Sequence, residues 1–113
     1  MNSKTLNDHL NWRYATKKMN PAKSVPQDKV DAIIEAVRMA PTSSGTQPFE
    51  LIVVTNPDLR GQIAKAANGQ AQITDGSHLL VFAAWDNYTA ERIDEVVELN
   101  VAARGYLPLI HGY

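Results

Sequence analysis

Two apolar runs have the composition of strands. The first, Phe49 to Thr55, reads Phe-Glu-Leu-Ile-Val-Val-Thr and is bounded by Pro48 and by Asn56-Pro57. It is rich in β-branched residues and is expected to be a central strand. The second, His78 to Trp85, reads His-Leu-Leu-Val-Phe-Ala-Ala-Trp and is expected to be a second buried strand. Two strands make a poor sheet. The sequence therefore predicts one of two things: a partner chain completes the sheet, or the chain is part of a larger fold.

Around these runs the apolar residues follow a helical period. A short helix is expected over residues 3–12, capped by Ser3, with Leu6 and Leu10 on one face. Ser24-Val25-Pro26-Gln27 has capping-box spacing and opens a second helix, in which Val30, Ile33, Ile34 and Val37 form a buried stripe. Asn56 and Pro57 start a third helix, Leu59, Ile63 and Ala66/Ala67 give it an apolar face, and Asn68-Gly69 ends it. Gln70 to Ser77 is polar and shows neither period. A last helix is expected from about Thr89 to Ala103. The order helix, helix, strand, helix, strand, helix is α/β-like. The expected class is α+β, with helices packed on a central sheet, in a single domain over residues 1–113. The tail, with Tyr106, Leu107, Leu109 and Ile110, is apolar and would gain by burial.

Composition narrows the function classes. A net charge of -1 gives no case for nucleic acid or a membrane surface. The absence of cysteine excludes thiol catalysis and thiolate metal sites. His9, His78 and His111 are scattered without metal-ligand spacing, and His78 reads as a structural hydrogen-bonding residue. No GxGxxG, GxxxxGK[ST] or GxSxG motif occurs, and Ser43 and Ser44 have no activating base nearby. The N-terminus lacks the apolar core of a signal peptide, and the longest apolar run is too short to span a bilayer. A cytoplasmic protein is the expectation.

Two stretches remain that could hold a ligand. His9 to Gln27 carries Arg13, Lys17, Lys18 and Lys23 with no acid. Arg13 and Lys17 are four apart, so a helical turn or a compact bend would point both at one phosphate. A solvated basic face reads the same way. The second stretch, Ala40-Pro41-Thr42-Ser43-Ser44-Gly45-Thr46-Gln47-Pro48, gathers four hydroxyls, an amide, a glycine and two prolines. It is a defined turn between helix and strand. An ordinary connector also uses such residues. Together the two stretches suit an elongated ligand with a phosphate at one end and a polar ring at the other. FMN fits that description, as do other phosphorylated cofactors.

Arg13-Tyr14-Ala15-Thr16-Lys17-Lys18-Met19, followed by Ala40 to Phe49 and by Asn68 to His78, resembles the nitroreductase family in order and spacing, from about residue 10 to about 104. The resemblance implies an FMN-dependent oxidoreductase that takes hydride from NADH or NADPH and reduces nitroaromatic or quinone-like acceptors. It also implies an intertwined homodimer or higher homo-oligomer with sites at the interface. By matching positions, Arg13 and Lys17 would meet the FMN phosphate, ribityl chain or ring edge, with Tyr14 and Ala15 alongside. Thr42, Ser43 and Gly45 would lie beside the flavin, and Gln70 or Gln72 would reach its ring or ribityl chain. No acid, base or nucleophile is assigned. Gly45 stands where relatives often have asparagine, and Ala15 where many have serine. Family members continue well beyond residue 113, so a shortened, non-catalytic flavin-binding or assembly module is the alternative.

Overall fold

The structure is a computed structural model that describes residues 2–105; the apolar tail residues Tyr106, Leu107, Leu109 and Ile110 lie outside the described residues. Those described fall into two compact units, residues 2–25 with 54–79 and residues 26–53 with 80–105.

The first unit holds α1 (Ser3–Trp12), α3 (Pro57–Ala66) and α4 (Gln72–Asp75). The cap of α1 is Asn2 rather than Ser3: its Oδ1 accepts the Thr5 N–H at 2.8 Å. Both residue types cap well, and Asn2 is the one placed to reach the third helical amide. Helix α1 ends at Arg13, whose backbone is extended (φ −70°, ψ 144°). Residues 14–20 form no regular element. Asn56 caps α3 as the sequence indicates, accepting the Leu59 N–H at 2.9 Å with Pro57 in the first turn. Its covered face differs from the expected one. Leu59 is 46% exposed, whereas Arg60 and Ala64 are each 8% exposed. Asn68 and Gly69 take φ of 57° and 65°, and the Gly69 N–H returns to the Ala64 carbonyl at 2.8 Å, which stops the helix. The polar stretch after it contains α4, a single turn too short to display a helical period.

The second unit holds α2 (Gln27–Met39), all but one residue of each strand and α5 (Ala90–Arg104). Pro26, not Ser24, occupies the N-cap of α2 and makes no side-chain cap; its carbonyl accepts from Lys29 and Val30 N–H at 3.1 and 3.2 Å. Proline holds the residue before it extended, which takes Ser24 out of capping register. Within the expected stripe Val30 is buried and Ile34 and Val37 are half-buried, but Ile33 is 47% exposed. Helix α2 stops at Ala40, extended before Pro41.

Strands β1 (Phe49–Val54) and β2 (Leu79–Ala84) pair in one two-stranded sheet. The N–H of Trp85, just past β2, donates to the carbonyl of Pro48, just before β1, at 2.9 Å. The strands therefore run antiparallel, and the class is α+β. Phe49 and Phe82 meet across them with ring centroids 5.7 Å apart. Each strand has one neighbour among the described residues, so β1 is not central there. A β-branched run specifies a strand but not its second neighbour. Helix α5 begins at Thr89, whose Oγ1 accepts the Arg92 N–H at 3.2 Å, and Arg92 lies 4.9 Å over the Trp85 ring.

Among the described residues the buried hydrophobic side chains are Val30, Val54 and Ala64. Ile33, Ile52, Leu99 and Phe82 are exposed. No helix among them is long and apolar enough to cross a membrane.

Candidate functional site

The loop from Pro41 to Pro48 holds two of the three non-glycine residues with positive φ among those described. Ser43–Gly45 forms one 3-10 turn, closed by Gly45 N–H to the Thr42 carbonyl at 3.0 Å and Thr46 N–H to the Ser43 carbonyl at 3.3 Å. Ser44 (φ 55°), Gly45 (φ 64°) and Gln47 (φ 43°) are all left-handed. From residue type alone that geometry is expected only at Gly45. For Ser44 and Gln47 it costs about 1–2 kcal/mol each, so other bonds must hold it. The Thr42 hydroxyl accepts the Gln47 N–H at 3.0 Å, and the Gln47 side-chain amide donates to the Arg38 carbonyl at 2.6 Å. The Thr46 hydroxyl donates to the Ser43 carbonyl at 3.1 Å.

These bonds revise the inventory of free donors. The Thr46 hydroxyl and the Gln47 side-chain amide donate in shaping the loop, and Thr42 Oγ1 accepts in it. The backbone N–H groups of Thr42, Ser43 and Ser44 and the hydroxyls of Ser43 and Ser44 make no hydrogen bond among the described residues. The loop thus offers a run of uncommitted donors on a fixed frame. It also borders a cleft of about 770 Å³, whose other walls are Arg38 and Met39 of α2 and Val96, Leu99, Asn100 and Arg104 of α5. Arg38 is itself engaged, donating to both Glu35 oxygens at 2.8 and 2.6 Å. The hydrogen bond from Arg38 holds the Glu35 carboxyl below its usual range, and the same bond raises Arg38.

In the first unit, Arg13 is the C-cap of α1, and Tyr14, Ala15 and Lys17 follow on exposed chain. No helical turn joins Arg13 to Lys17. Four residues of chain reach at most about 13 Å. Neither is within ion-pair distance of a carboxylate among the described residues. Gln70 precedes α4 and Gln72 opens it; their side-chain amides make no hydrogen bond among the described residues. The Val25 N–H donates to Ser77 Oγ at 3.0 Å, and Ser77 Oγ lies 2.8 Å from His78 Nδ1. The end of the basic stretch is thus tied to the entry of β2, and His78 has the hydrogen-bonding role expected of it.

Two residues carry roles that the sequence pattern does not announce. Gln47 reads as one more loop amide, yet it closes the loop onto α2. Arg60 reads as a surface charge, yet it is buried. Its position one turn before Ala64, on the face shared with Ile63 and Ala67, is the signal of that burial.

Comparisons with known proteins place this arrangement. Proteins named as NAD(P)H nitroreductases from Staphylococcus epidermidis and Staphylococcus haemolyticus are 33% and 32% identical over 89 and 88 residues, which is 78% and 77% of this chain. The chain spans about 40% of the length of these curated relatives. A nitroreductase-like protein from Streptococcus mutans superposes with a TM-score of 0.70 at 25% identity, over 87% of this chain and 48% of that one. A protein named as a nitroreductase from Bacillus subtilis shares the fold at a TM-score of 0.75 and 15% identity, over 92% of this chain and 48% of that one. The sequence profile of the nitroreductase family matches residues 10–107, and the chain belongs to that family.

Proposed function

We propose that this chain binds FMN and serves as an NAD(P)H-dependent oxidoreductase. The observation that carries the reading is the donor set of the Thr42–Ser44 stretch: three amides and two hydroxyls without a hydrogen bond among the described residues, on a loop that three side-chain hydrogen bonds hold in shape. Such donors match the carbonyls and nitrogens of a flavin ring or the hydroxyls of a ribityl chain. Arg13 and Lys17, exposed and without an ion pair among the described residues, match a phosphate, with Tyr14 and Ala15 along the same segment. Gln70 and Gln72, whose side-chain amides make no hydrogen bond among the described residues, would serve the ring or ribityl chain. Each set is assigned separately, because family sites lie at an interface between protomers.

FMN, when bound, would supply the hydride and electron chemistry, accepting from NADH or NADPH and passing electrons to a nitroaromatic or quinone-like acceptor. The residues of this chain bind and orient. Backbone N–H groups beside a flavin carbonyl would favour charge that develops there, and the cations would neutralise the phosphate. No side chain is assigned as acid, base or nucleophile. We place the protein in the cytoplasm, as one domain that works as a homodimer or higher homo-oligomer. The small core and the exposure of Ile33, Ile52, Phe82 and Leu99 support association.

The purified chain, mixed with FMN and passed through gel filtration, is expected to emerge as an oligomer with a flavin spectrum and quenched fluorescence. Bleaching by NADH or NADPH supports the enzyme. The exposure of Ile33, Ile52, Phe82 and Leu99 suits a second reading as well, a non-catalytic flavin-binding or assembly module. Retained flavin that neither nucleotide bleaches selects that module. An oligomer that never retains FMN removes the flavin reading altogether.

A further inference from the structure

Arg60 is the buried charged residue of the described chain, at 8% exposure. Its Nη1 donates to the carbonyls of Ile73 (3.2 Å), Thr74 (3.1 Å) and Gly76, and its Nε donates to the carbonyl of Thr55 (3.3 Å). No carboxylate shares the site: the ion pairs among the described residues are Glu35–Arg38 and Asp86–Arg92. A buried guanidinium needs compensation. Here it comes from backbone carbonyls, most of them at the C-terminal end of α4. Those are the carbonyls a helix leaves without partners, and they carry partial negative charge.

Helix α4 is four residues long, and an isolated turn of helix does not hold itself. Its internal bonds run from Ile73 N–H to Gln70 O (3.2 Å), Thr74 and Asp75 N–H to Ala71 O (3.1 and 2.8 Å), and Gly76 N–H to Gln72 O (3.1 Å). Arg60 grips the same turn from outside, at the carbonyls of Ile73 and Thr74 within it and of Gly76 at its C-cap. The conformation of the backbone that presents Gln70 and Gln72 therefore depends on a side chain from α3.

We infer that Arg60 is a positioning residue for the flavin: it fixes the one-turn helix that aims Gln70 and Gln72, without touching the cofactor itself. The inference rests on the flavin reading above. A merely structural arginine would differ in two ways. Its loss would loosen the whole chain rather than α4, and it would weaken flavin binding equally whether or not the two glutamines were present.

The test uses the full chain with Arg60→Met, Arg60→Lys, the double change Gln70→Ala/Gln72→Ala, and the triple combination. Amide hydrogen exchange is followed at Ile73, Thr74, Asp75 and Gly76, and FMN binding by fluorescence quenching and the visible spectrum. Arg60→Met is expected to speed exchange at those four amides at least tenfold, with less than twofold change in β1 and β2. It should raise the FMN Kd at least tenfold in the parent and less than threefold once both glutamines are alanine. Arg60→Lys, which keeps charge and donors, should recover part of the affinity and of the flavin spectrum. Uniform acceleration of exchange overturns the inference, as does an equal loss of affinity with and without the glutamines. If Arg60→Met fails to fold, Arg60→Lys compared with Arg60→Gln reads the same quantities. A parent that binds FMN while Arg60→Met leaves affinity and spectrum unchanged overturns the Arg60 role alone; a parent that retains no FMN overturns the flavin reading and this role with it.

Discussion

Thr42→Val isolates the bond that shapes the candidate flavin loop. The substitution keeps the β-branched outline of a half-buried side chain and removes the hydroxyl that accepts the Gln47 N–H at 3.0 Å. Two non-glycine residues of the loop, Ser44 and Gln47, hold left-handed backbone, at about 1–2 kcal/mol each. Against that stand three side-chain hydrogen bonds, from Gln47 N–H to Thr42, from Gln47 to Arg38 and from Thr46 to Ser43, worth about 0.5–1.5 kcal/mol each. The two sums are of similar size, so loss of one bond is enough to let the loop relax. Because Gln47 is exposed, water can take up its freed N–H, and the cost sits near the middle of the range, about 1 kcal/mol. If the loop must return to its present form to bind FMN, the same energy appears as a roughly fivefold weaker Kd. Urea unfolding gives the first quantity and FMN fluorescence quenching the second. Thr42→Ser, which restores the acceptor, is expected to recover most of both. A Thr42→Val protein with parental FMN affinity, or a Thr42→Ser protein as impaired as Thr42→Val, would show that the loop geometry is not what the ligand reads.

Arg13→Ala is expected to weaken FMN by about tenfold, in line with loss of a charge-assisted bond of about 1.5–3 kcal/mol, with little change in unfolding midpoint because Arg13 is exposed; unchanged affinity sinks the phosphate assignment. Gly45 has φ +64°, and a Cβ at that position would meet no atom within 4 Å. Gly45→Ala should therefore cost about 1 kcal/mol of stability through backbone strain alone, and Gly45→Asn distinctly less, because asparagine tolerates that region; equal costs in thermal unfolding would contradict this. The Glu35 carboxyl, held down first by its hydrogen bond from Arg38, should titrate by NMR below the ordinary 4.5 and move back towards it in Arg38→Met. A lowered carboxylate stabilises above its unfolded pKa and loses that contribution as pH falls through its folded one, so any effect of this fully exposed pair belongs to the acid limb. A midpoint that ignores Arg38→Met removes the pairing.

Local chemistry was legible in the sequence wherever one segment supplies both partners. Asn56 with Pro57, Asn68 with Gly69 and Thr89 set helix ends by bonds spanning three to five residues, and the structure uses each of them. The errors at Ser3 and Ser24 are of one kind: a second capping candidate or a proline one or two places away changed the register. What stayed hidden depends on distant partners. The antiparallel pairing of β1 with β2 rests on a contact between Pro48 and Trp85, and the burial of Arg60 on carbonyls at Ile73, Thr74 and Gly76. The strand pairing has no local signature, and the only local sign of Arg60's burial is its place on the face of Ile63, Ala64 and Ala67. Arg60 shows the point most sharply, since a charged residue on an apolar helix face looks like a flaw until its acceptors, thirteen to sixteen residues on, are known.

The apolar pattern carries information of another sort. Hydrophobic periodicity reports which faces a sequence was selected to cover. In α2 that stripe includes Ile33, which is 47% exposed, and in the strands it includes Ile52 at 48% and Phe82 at 59%. The α2 pattern is regular and the strand runs are continuous, so poor patterning does not account for the exposure. Something outside the described residues must cover these faces if the pattern is to be satisfied. Association of protomers, as proposed, meets that requirement, and it makes a stability measurement informative. For an obligate oligomer the unfolding midpoint rises with protein concentration, whereas a self-sufficient monomer shows none of that dependence. A midpoint independent of concentration over a range of about a hundredfold would mean that the exposed stripe is not an interface between copies of this chain.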